Sequence, residues 1–201
     1  MGHAARSLAL LSRRALQVLR IPRAPAALEL RVERGWDGAP ADDPLLCGIV
    51  RLQSTPEGIA FEASLPHQAS PRVPGAPAGT RVANLGEFDV VECFLVGRDG
   101  RYLELELGSG GHFLALRFDA PRRCSDALEA LRPELTHRAD ARGWSARMLA
   151  PWRIVPAEIV ALNAFVAAGG RLLAHRPLPG GRPDFHQPAR FPAARLDSVA
   201  P

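Results

Sequence analysis

The pattern of apolar and polar positions is clearest in the middle of the chain, where it predicts three consecutive β-strands. Residues 88–96 form a nearly continuous apolar run that only Asp89 and Glu92 interrupt. Residues 102–107 alternate strictly between apolar and charged side chains, which is typical of a strand with one buried face. Residues 113–118 form the third strand, and glycine-containing turns join the three. This meander indicates an antiparallel sheet.

Shorter strands are predicted on both sides of the meander, and the one short helix is predicted at 124–132. The additional strands are expected at 27–32, 46–53, 58–64, 134–138, 143–149, 163–168 and 171–174. Residues 66–83 hold four prolines and no periodicity, which indicates a long surface loop. About ten short strands with almost no long helix predict an all-β chain, a single antiparallel β-sandwich domain over residues 26–196.

The first 25 residues differ from the rest in charge. They contain five arginines and no acidic residue, and residues 1–20 place apolar side chains at helical spacing. We therefore predict a short N-terminal amphipathic helix packed on the domain, or an unstructured extension, followed by a linker at 21–26. An organelle transit peptide is the alternative interpretation. The apolar run from Leu8 to Leu11 is too short to span a membrane.

Composition argues against nucleic-acid binding even though the chain is basic. All 25 basic residues are arginine, and beyond residue 25 the chain has 20 arginines against 21 acidic residues. A nearly neutral body does not predict a groove that follows phosphates. Three widely spaced cysteines, Cys47, Cys93 and Cys124, predict neither a zinc site nor a disulfide framework. A reduced, cytoplasmic protein is the expectation.

Several short stretches, in this order, resemble an uncharacterised protein family related to the family-9 carbohydrate-binding modules, within the DOMON-like β-sandwich superfamily. They are Trp36-Asp37-Gly38, the strand EFDVVECFL, the series YLELEL, Trp144 with Pro151-Trp152, and Pro183-Asp184-Phe185-His186. The resemblance covers residues 30–191. It implies an immunoglobulin-like or jelly-roll-like sandwich, a non-catalytic ancestry and a sugar-binding role. Members of this family usually carry a tryptophan where this chain has Gly86, which puts an aromatic ligand platform at that position in doubt.

Aromatic side chains are the first candidates for ligand binding. Sugar-binding proteins stack the apolar face of a pyranose on tryptophan or tyrosine rings. Trp36, Trp144 and Tyr102 are the candidates here, with Trp36 in a glycine-flanked turn preferred. The competing interpretation is that these rings belong to the core, as we expect for Trp152 after Pro151.

Carboxylates are the second set of candidates. Glu104 and Glu106 lie two apart on one strand and therefore project from the same face. A solvated strand face is the expectation for both. Glu92 interrupts an apolar strand, where an unpaired charge is costly, so it needs a partner such as Arg117 or a bound cation. Oxygen ligands of this type suit calcium, and the resemblance adds that related modules contain calcium.

A metal or haem site is the alternative to sugar binding. Asp184 and His186 lie two apart in a proline-flanked segment and could form a metal site or an acid–base pair. The competing interpretation has this tail closing over the sandwich. Haem ligation by Met148 with a histidine is the less favoured metal hypothesis.

The leading prediction is therefore a non-catalytic carbohydrate-binding-like module that recognises a sugar or a similar small polar ligand. Trp36 and Trp144 are expected to stack on the ligand, while Glu92, Glu104 and Arg117 form hydrogen bonds to it. The alternatives are a metal- or haem-binding sandwich and a protein-interaction or structural domain. No enzymatic motif was found, since Ser109 lacks a GxSxG context.

Overall fold

The computed structural model describes residues 18–66, 68, 70–178 and 180–197, and the regular secondary structure of this part of the chain is almost entirely β-strand. Its helical segments are three single 3₁₀ turns, Pro44–Leu46, Leu85–Glu87 and Pro188–Arg190. None of the helices within the described ranges is long and apolar enough to cross a membrane.

The strands of the described ranges form two large antiparallel sheets and one small parallel pair. In chain order they are β1 (Leu19–Ile21), β2 (Leu28–Val32), β3 (Arg34–Gly35), β4 (Gly48–Ser54), β5 (Gly58–Pro66), β6 (Val90–Gly97), β7 (Tyr102–Gly108), β8 (Phe113–Ala120), β9 (Arg123–Asp126), β10 (Leu135–Asp140), β11 (Gly143–Pro151), β12 (Ile159–Ala168), β13 (Arg171–Ala174) and β14 (Ala194–Leu196). The five-stranded sheet has the order β10-β11-β5-β4-β2. The seven-stranded sheet has the order β3-β13-β12-β6-β7-β8-β9.

The predicted meander and hairpins are confirmed. Strands β6, β7 and β8 pair in sequence order, as do β4 with β5, β10 with β11 and β12 with β13. Each pair joins two apolar or alternating runs across a short turn, which is the simplest antiparallel connection. These local pairings make the chain a β-sandwich, as the sequence indicated.

The inner faces of the two sheets share one hydrophobic core. Alternate residues of β6 and β7 supply Val91, Cys93, Leu103 and Leu105, which pack in the same cluster as Phe61 of the opposite sheet. Because side chains alternate along a strand, the residues between these point to the outer face of the seven-stranded sheet. That outer face carries the candidate site.

One prediction of helix is wrong, and the other falls mainly outside the described residues. Residues 124–132 form β9 and turns instead of a helix, because Arg123–Asp126 pairs with the edge of β8. The predicted N-terminal helix falls mainly on residues 1–17, which lie outside the described residues. Its last residues, with Ile21 of the predicted linker, form β1, which pairs in parallel with β14. The buried Ile21 anchors this pair to the core.

Candidate functional site

The outer face of the seven-stranded sheet is buried rather than solvated, because two apolar segments cover it. One covering segment, which we call the tail cap, consists of Leu178, Phe185, His186 and Phe191. The other, the loop cap, consists of Val82, Leu85 and Phe88. The strip of sheet between the two caps carries three glutamates.

The tail cap rests on an aromatic cluster of the sheet. The ring of Phe185 stacks on Phe165 with centroids 4.1 Å apart, and Trp36 packs against Phe185 at 5.7 Å. The ring of His186 lies edge-on to Phe94 at 5.6 Å. These contacts fix Phe185 and His186 at the border of the glutamate strip.

The three glutamates, Glu92, Glu104 and Glu106, are called the Glu trio below. Glu92 on β6 is the cross-strand partner of Glu106 on β7, and Glu104 lies two residues from Glu106 on the same face. Opposite partners in an antiparallel pair have Cβ atoms about 5 Å apart. The exposed fractions of the three residues are 6%, 5% and 3%. The strands therefore bring three carboxyl groups together in a nearly dry place.

Burial and mutual repulsion make the Glu trio retain protons. Burial raises the pKa of Glu92 from 4.5 to about 7, although a hydrogen bond with Glu104 opposes the rise. Burial, followed by the charges of Glu92 and Glu106, raises the pKa of Glu104 to about 10. Burial and the charge of Glu92 hold the pKa of Glu106 well above its usual range, while Arg81 acts in the opposite direction. Carboxyl groups crowded in low dielectric cannot all ionise.

The border of the strip contains a second set of polar groups, which are all paired. Asp184 forms an ion pair with Arg122 at 3.0 Å and accepts a hydrogen bond of 2.9 Å from the backbone N–H of His186. The Tyr102 hydroxyl lies 2.9 Å from Nδ1 of His186 and accepts a hydrogen bond of 3.1 Å from the backbone N–H of Arg122. Burial raises the pKa of Tyr102 to about 12 and lowers the pKa of His186. At neutral pH this border is a fixed, hydrogen-bonded frame.

A cavity of about 280 Å³ opens over the Glu trio. It is lined by the trio, Gly86, Arg122, Leu172 and residues 183–186. Gly86 is exposed, and a Cβ atom added to it would lie 3.7 Å from Oε1 of Glu92 and 3.9 Å from Oε2 of Glu106. The missing side chain at position 86 therefore leaves the carboxyl groups open to this side.

Two oxygen atoms of the Glu trio lack a partner. Oε2 of Glu104 and Oε2 of Glu106 are buried without a hydrogen bond. A buried polar atom without a partner costs about 1–3 kcal/mol, and more where the group is charged. By contrast Asp89, a buried carboxylate on the same sheet, accepts hydrogen bonds from the backbone N–H groups of Arg72 and Gly169. The Glu trio is thus incompletely satisfied by the protein.

The structure brings together some of the predicted site residues. Glu92, Glu104, Asp184 and His186 line one cavity, and Tyr102 holds His186 in place. Trp36 does not line this cavity, but it supports Phe185 from behind.

Other predicted residues lie elsewhere. Trp144 is buried in the core between the sheets, and so is Met148, which faces away from His186. Arg117 points from the inner face of β8, where it donates hydrogen bonds to the backbone carbonyls of Arg153 and Ile154 and pairs with Asp126.

Two expectations about the carboxylates were wrong. Arg117 is not the partner of Glu92, because the two side chains leave the sheet on opposite faces, and Glu92 hydrogen-bonds to Glu104 instead. The face that carries Glu104 and Glu106 is not solvated, because the two caps cover it. The caps come from residues distant in sequence, which the alternation within β7 does not reveal.

Sequence reasoning missed three parts of the site. The alternation of β7 places Glu106 on the correct face but does not single it out as a ligand residue, and no pattern distinguishes Phe185 as a binding residue. Arg122 gave no local signal. Its backbone has φ of 61°, in the left-handed region, and its contacts with Tyr102 and Asp184 hold it there.

A larger concavity, of about 560 Å³, lies around Leu103, Ile154 and Val155. Its arginines are engaged in ion pairs, which are Arg98 with Glu158, Arg101 with Asp119 and Arg117 with Asp126. Among the described residues, no buried polar atom without a partner lies in its lining. The cavity over the Glu trio, called the carboxyl cavity below, is therefore the better candidate for a ligand site.

No metal centre is evident in the part of the chain that the structure describes. No group of three or more histidine, cysteine, aspartate or glutamate side chains in these ranges is arranged to hold a metal ion. Asp184 and His186, predicted as a metal pair, each have a protein partner in Arg122 and Tyr102.

Comparison with solved structures defines the class of fold. The chain is similar to a "putative carbohydrate-binding protein" from Bacteroides uniformis, with a TM-score of 0.66 and 17% identity over 90% of this chain and 98% of that one. It is also similar to a carbohydrate binding module of family 9 from Caldicellulosiruptor kristjanssonii, solved in complex with cellotriose, with a TM-score of 0.53 and 13% identity over 92% and 95% of the two chains. The predicted resemblance to family-9 modules is confirmed for the fold.

Sequence relatives are found among vertebrate proteins. The chain is 24% identical to the UPF0462 protein C4orf33 homolog of Danio rerio over 86% of this chain and 91% of the relative. It is 27% identical to the homolog of Rattus norvegicus, over 80% and 84% of the two chains. No family model matches the chain.

Proposed function

We propose that this protein is a non-catalytic sugar-binding module whose ligand sits in the cavity over the Glu trio. The observation that carries the proposal is the pair of buried carboxyl oxygens, on Glu104 and Glu106, that lack a partner beside the open position of Gly86. A ligand rich in hydroxyl groups supplies the missing hydrogen-bond donors. The similar folds of carbohydrate-binding proteins support this choice.

The surroundings of the Glu trio suit a sugar. Phe185 offers an aromatic surface at one border, and sugar rings present an apolar face to such rings. Arg122 and Asp184 add a fixed donor and a fixed acceptor at the same border. The volume of about 280 Å³ is at the small end for ligand sites, and it fits a monosaccharide or the end of a chain.

The geometry of the carboxyl groups favours binding over hydrolysis. Glycosidases place two carboxyl groups at least about 5 Å apart, so that the anomeric carbon fits between them. Glu92, Glu104 and Glu106 instead project side by side from one face of the sheet. This arrangement does not place two carboxyl groups on opposite sides of a glycosidic bond, which supports a role in recognition.

The test is isothermal titration calorimetry of the purified protein with a panel of monosaccharides and short oligosaccharides, cellotriose included. Glu104→Ala removes the unpartnered carboxyl oxygen, and it should weaken the binding of any sugar ligand by about tenfold or more. Glu129→Ala is the matched control, because Glu129 is exposed and lies outside the cavity.

Three results would contradict the proposal. If no sugar of the panel binds at millimolar concentration, the cavity is not a sugar site. If an oligosaccharide is cleaved by the wild-type protein and not by Glu104→Ala, the protein is an enzyme. A sugar that binds equally to wild type and Glu104→Ala would place the site elsewhere on the sandwich.

A further inference from the structure

The carboxyl cavity has more acidic groups than basic groups to balance them. The Glu trio and Asp184 contribute four carboxyl groups to its lining, and the one arginine of the lining, Arg122, is engaged by Asp184. His186 also faces the cavity, and burial lowers its pKa, so that it is neutral at physiological pH. The Glu trio is therefore left without a cationic partner in the lining.

Arg81 contributes positive charge from outside the lining, but among the described residues it forms no ion pair with the trio. Its charge lowers the pKa of Glu106, but its guanidinium donates from Nη2 to the backbone carbonyl of Ala127 at 2.6 Å. No hydrogen bond joins Arg81 to Glu106, whose Oε2 has no partner. Cys124 also lies near Glu104 and raises the pKa of its carboxyl group, so it does not balance the negative charge of the trio.

Access to the trio is open from one side. Oε1 of Glu92 and Oε2 of Glu106 face the space that a side chain at Gly86 would fill. An incoming group at this position meets carboxyl oxygens from two strands, and the unpartnered Oε2 of Glu104 lies on the same face of β7 as Glu106. The place is small, nearly dry and lined by acceptors.

We propose that the ligand of this cavity carries a primary ammonium group, which makes an amino sugar the preferred class of sugar. This inference rests on the proposed sugar-binding function and specifies the ligand of that same site. A primary ammonium has three donors and no acceptor, which matches three carboxyl groups. Hydrogen bonds between charged partners are about twice as strong as neutral ones.

A metal ion fits the trio less well than an ammonium group. Metal ligation requires deprotonated carboxylates that converge on one point at about 2.3–2.6 Å for calcium. Glu92 and Glu104 share a hydrogen bond, and the described residues contain no cluster arranged for a metal. An ammonium group accepts looser geometry, because its hydrogen bonds are about 2.7–2.9 Å long.

Binding of an ammonium group should change the number of protons that the Glu trio holds. In the free protein the trio holds protons at neutral pH, because burial and mutual repulsion oppose ionisation. When an ammonium group binds, it stabilises the carboxylate form, and a carboxylic acid of the trio gives its proton to the buffer. The ammonium keeps its own proton. Binding of an amine should release protons, and binding of a neutral sugar should not.

The test uses D-glucosamine, D-glucose and N-acetyl-D-glucosamine with the full chain at pH 6.5. The three sugars differ at one substituent, and only the first carries a positive charge. We expect glucosamine to bind at least about tenfold more tightly than the other two, which corresponds to about 1.4 kcal/mol. Calorimetry in two buffers with different heats of ionisation should show proton release for glucosamine alone.

Matched variants assign the effect to the trio. Glu106→Gln should remove most of the advantage of glucosamine over glucose, and Glu92→Gln should reduce the proton release, while the exposed control Glu129→Gln should change neither. If a variant does not fold, as judged by its circular dichroism spectrum, the comparison of the three sugars on the wild-type protein still decides the question.

The outcomes separate this inference from the proposed function. Equal binding of glucose and glucosamine overturns the amine preference and leaves sugar binding standing. Binding of ethanolamine as tight as glucosamine, with no binding of any neutral sugar, keeps the ammonium site and overturns the sugar module. Calcium binding that glucosamine cannot displace overturns the ammonium site. The absence of any binding overturns both.

Discussion

The buried Glu trio predicts that the protein loses stability as the pH rises, and that Glu92→Gln relieves the loss. Above pH 4.5 the carboxyl group of Glu92 ionises readily in the unfolded chain, whereas the folded protein keeps it protonated up to about pH 7. The folded state then binds more protons than the unfolded state, so its stability decreases with rising pH. The stability that protonated Glu92 contributes to the folded state is fully present below pH 4.5 and is lost as the pH rises through about 7.

The size of the effect follows from the pKa. One pKa unit corresponds to about 1.4 kcal/mol, so raising the pKa of Glu92 from 4.5 to about 7 costs roughly 3 kcal/mol once the pH exceeds both values. Glutamine has nearly the same shape, does not ionise, and can donate its amide N–H to Glu104. The free energy of unfolding of Glu92→Gln minus that of wild type should therefore increase by roughly 3 kcal/mol between pH 4.5 and pH 8.

Urea unfolding followed by circular dichroism at pH 4.5, 6, 7 and 8 measures this difference. The half-buried His175 and His186 have lowered pKa values, so they make stability increase with pH up to about 6.5 in both proteins, and their effect cancels in the comparison. The exposed control Glu129→Gln should follow the wild-type curve. A difference between wild type and Glu92→Gln that stays constant from pH 4.5 to pH 8 would refute the buried, protonated trio.

Substitutions at three further positions test other parts of the structure. Tyr102→Phe removes the hydroxyl that contacts His186 and Arg122, so we expect a loss of about 1–3 kcal/mol in urea unfolding and faster proteolysis within the tail cap. Gly86→Trp should weaken sugar binding, because its side chain would fill the opening over the carboxyl oxygens of Glu92 and Glu106, whereas Gly86→Ala, whose Cβ meets only ordinary contacts, should leave stability unchanged. Trp144→Ala should cost about 3–5 kcal/mol in urea unfolding because Trp144 is in the core, and any folded fraction should bind sugar normally; lost affinity with unchanged stability would contradict this placement.

The strands were predictable because their signals are local. Apolar runs and strict alternation define β4 to β8 and β10 to β13, and short turns between them leave antiparallel pairing as the simple solution. The 124–132 segment was misjudged for the opposite reason. Its edge strand, β9, has four exposed residues and is held by backbone pairing with β8. Backbone pairing of this kind leaves no hydrophobic pattern in the sequence from which the strand could be predicted.

The site was only partly predictable, since it is built from distant segments. Glu92 was recognised because a charge in an apolar strand needs an explanation. Its relation to Glu106 depends on the register of β6 with β7, and the burial of both depends on the tail cap some 80 residues later. The wrong pairing of Glu92 with Arg117 could have been avoided by counting residues across the strands, which puts the two on opposite faces. The conformation of Arg122 could not be foreseen, because its partners Tyr102 and Asp184 come from other parts of the chain.

The Glu trio lowers the stability of the sandwich, because three carboxyl groups lose their hydration when the protein folds. On the same outer face Phe94, Leu114 and Leu116 show what apolar residues do at neighbouring positions, where they pack under the two caps without a desolvation cost. Asp89 shows that this sheet can also satisfy a buried carboxylate with backbone donors. The trio does neither, and it lies where Gly86 leaves the covering open. Buried groups of like charge that oppose folding and line an opening are characteristic of binding sites, where a ligand supplies the missing partners. An ammonium ligand that satisfies the trio should therefore stabilise the folded protein more as the pH rises toward neutrality, where the free carboxylates begin to oppose folding, until the ammonium group itself loses its proton.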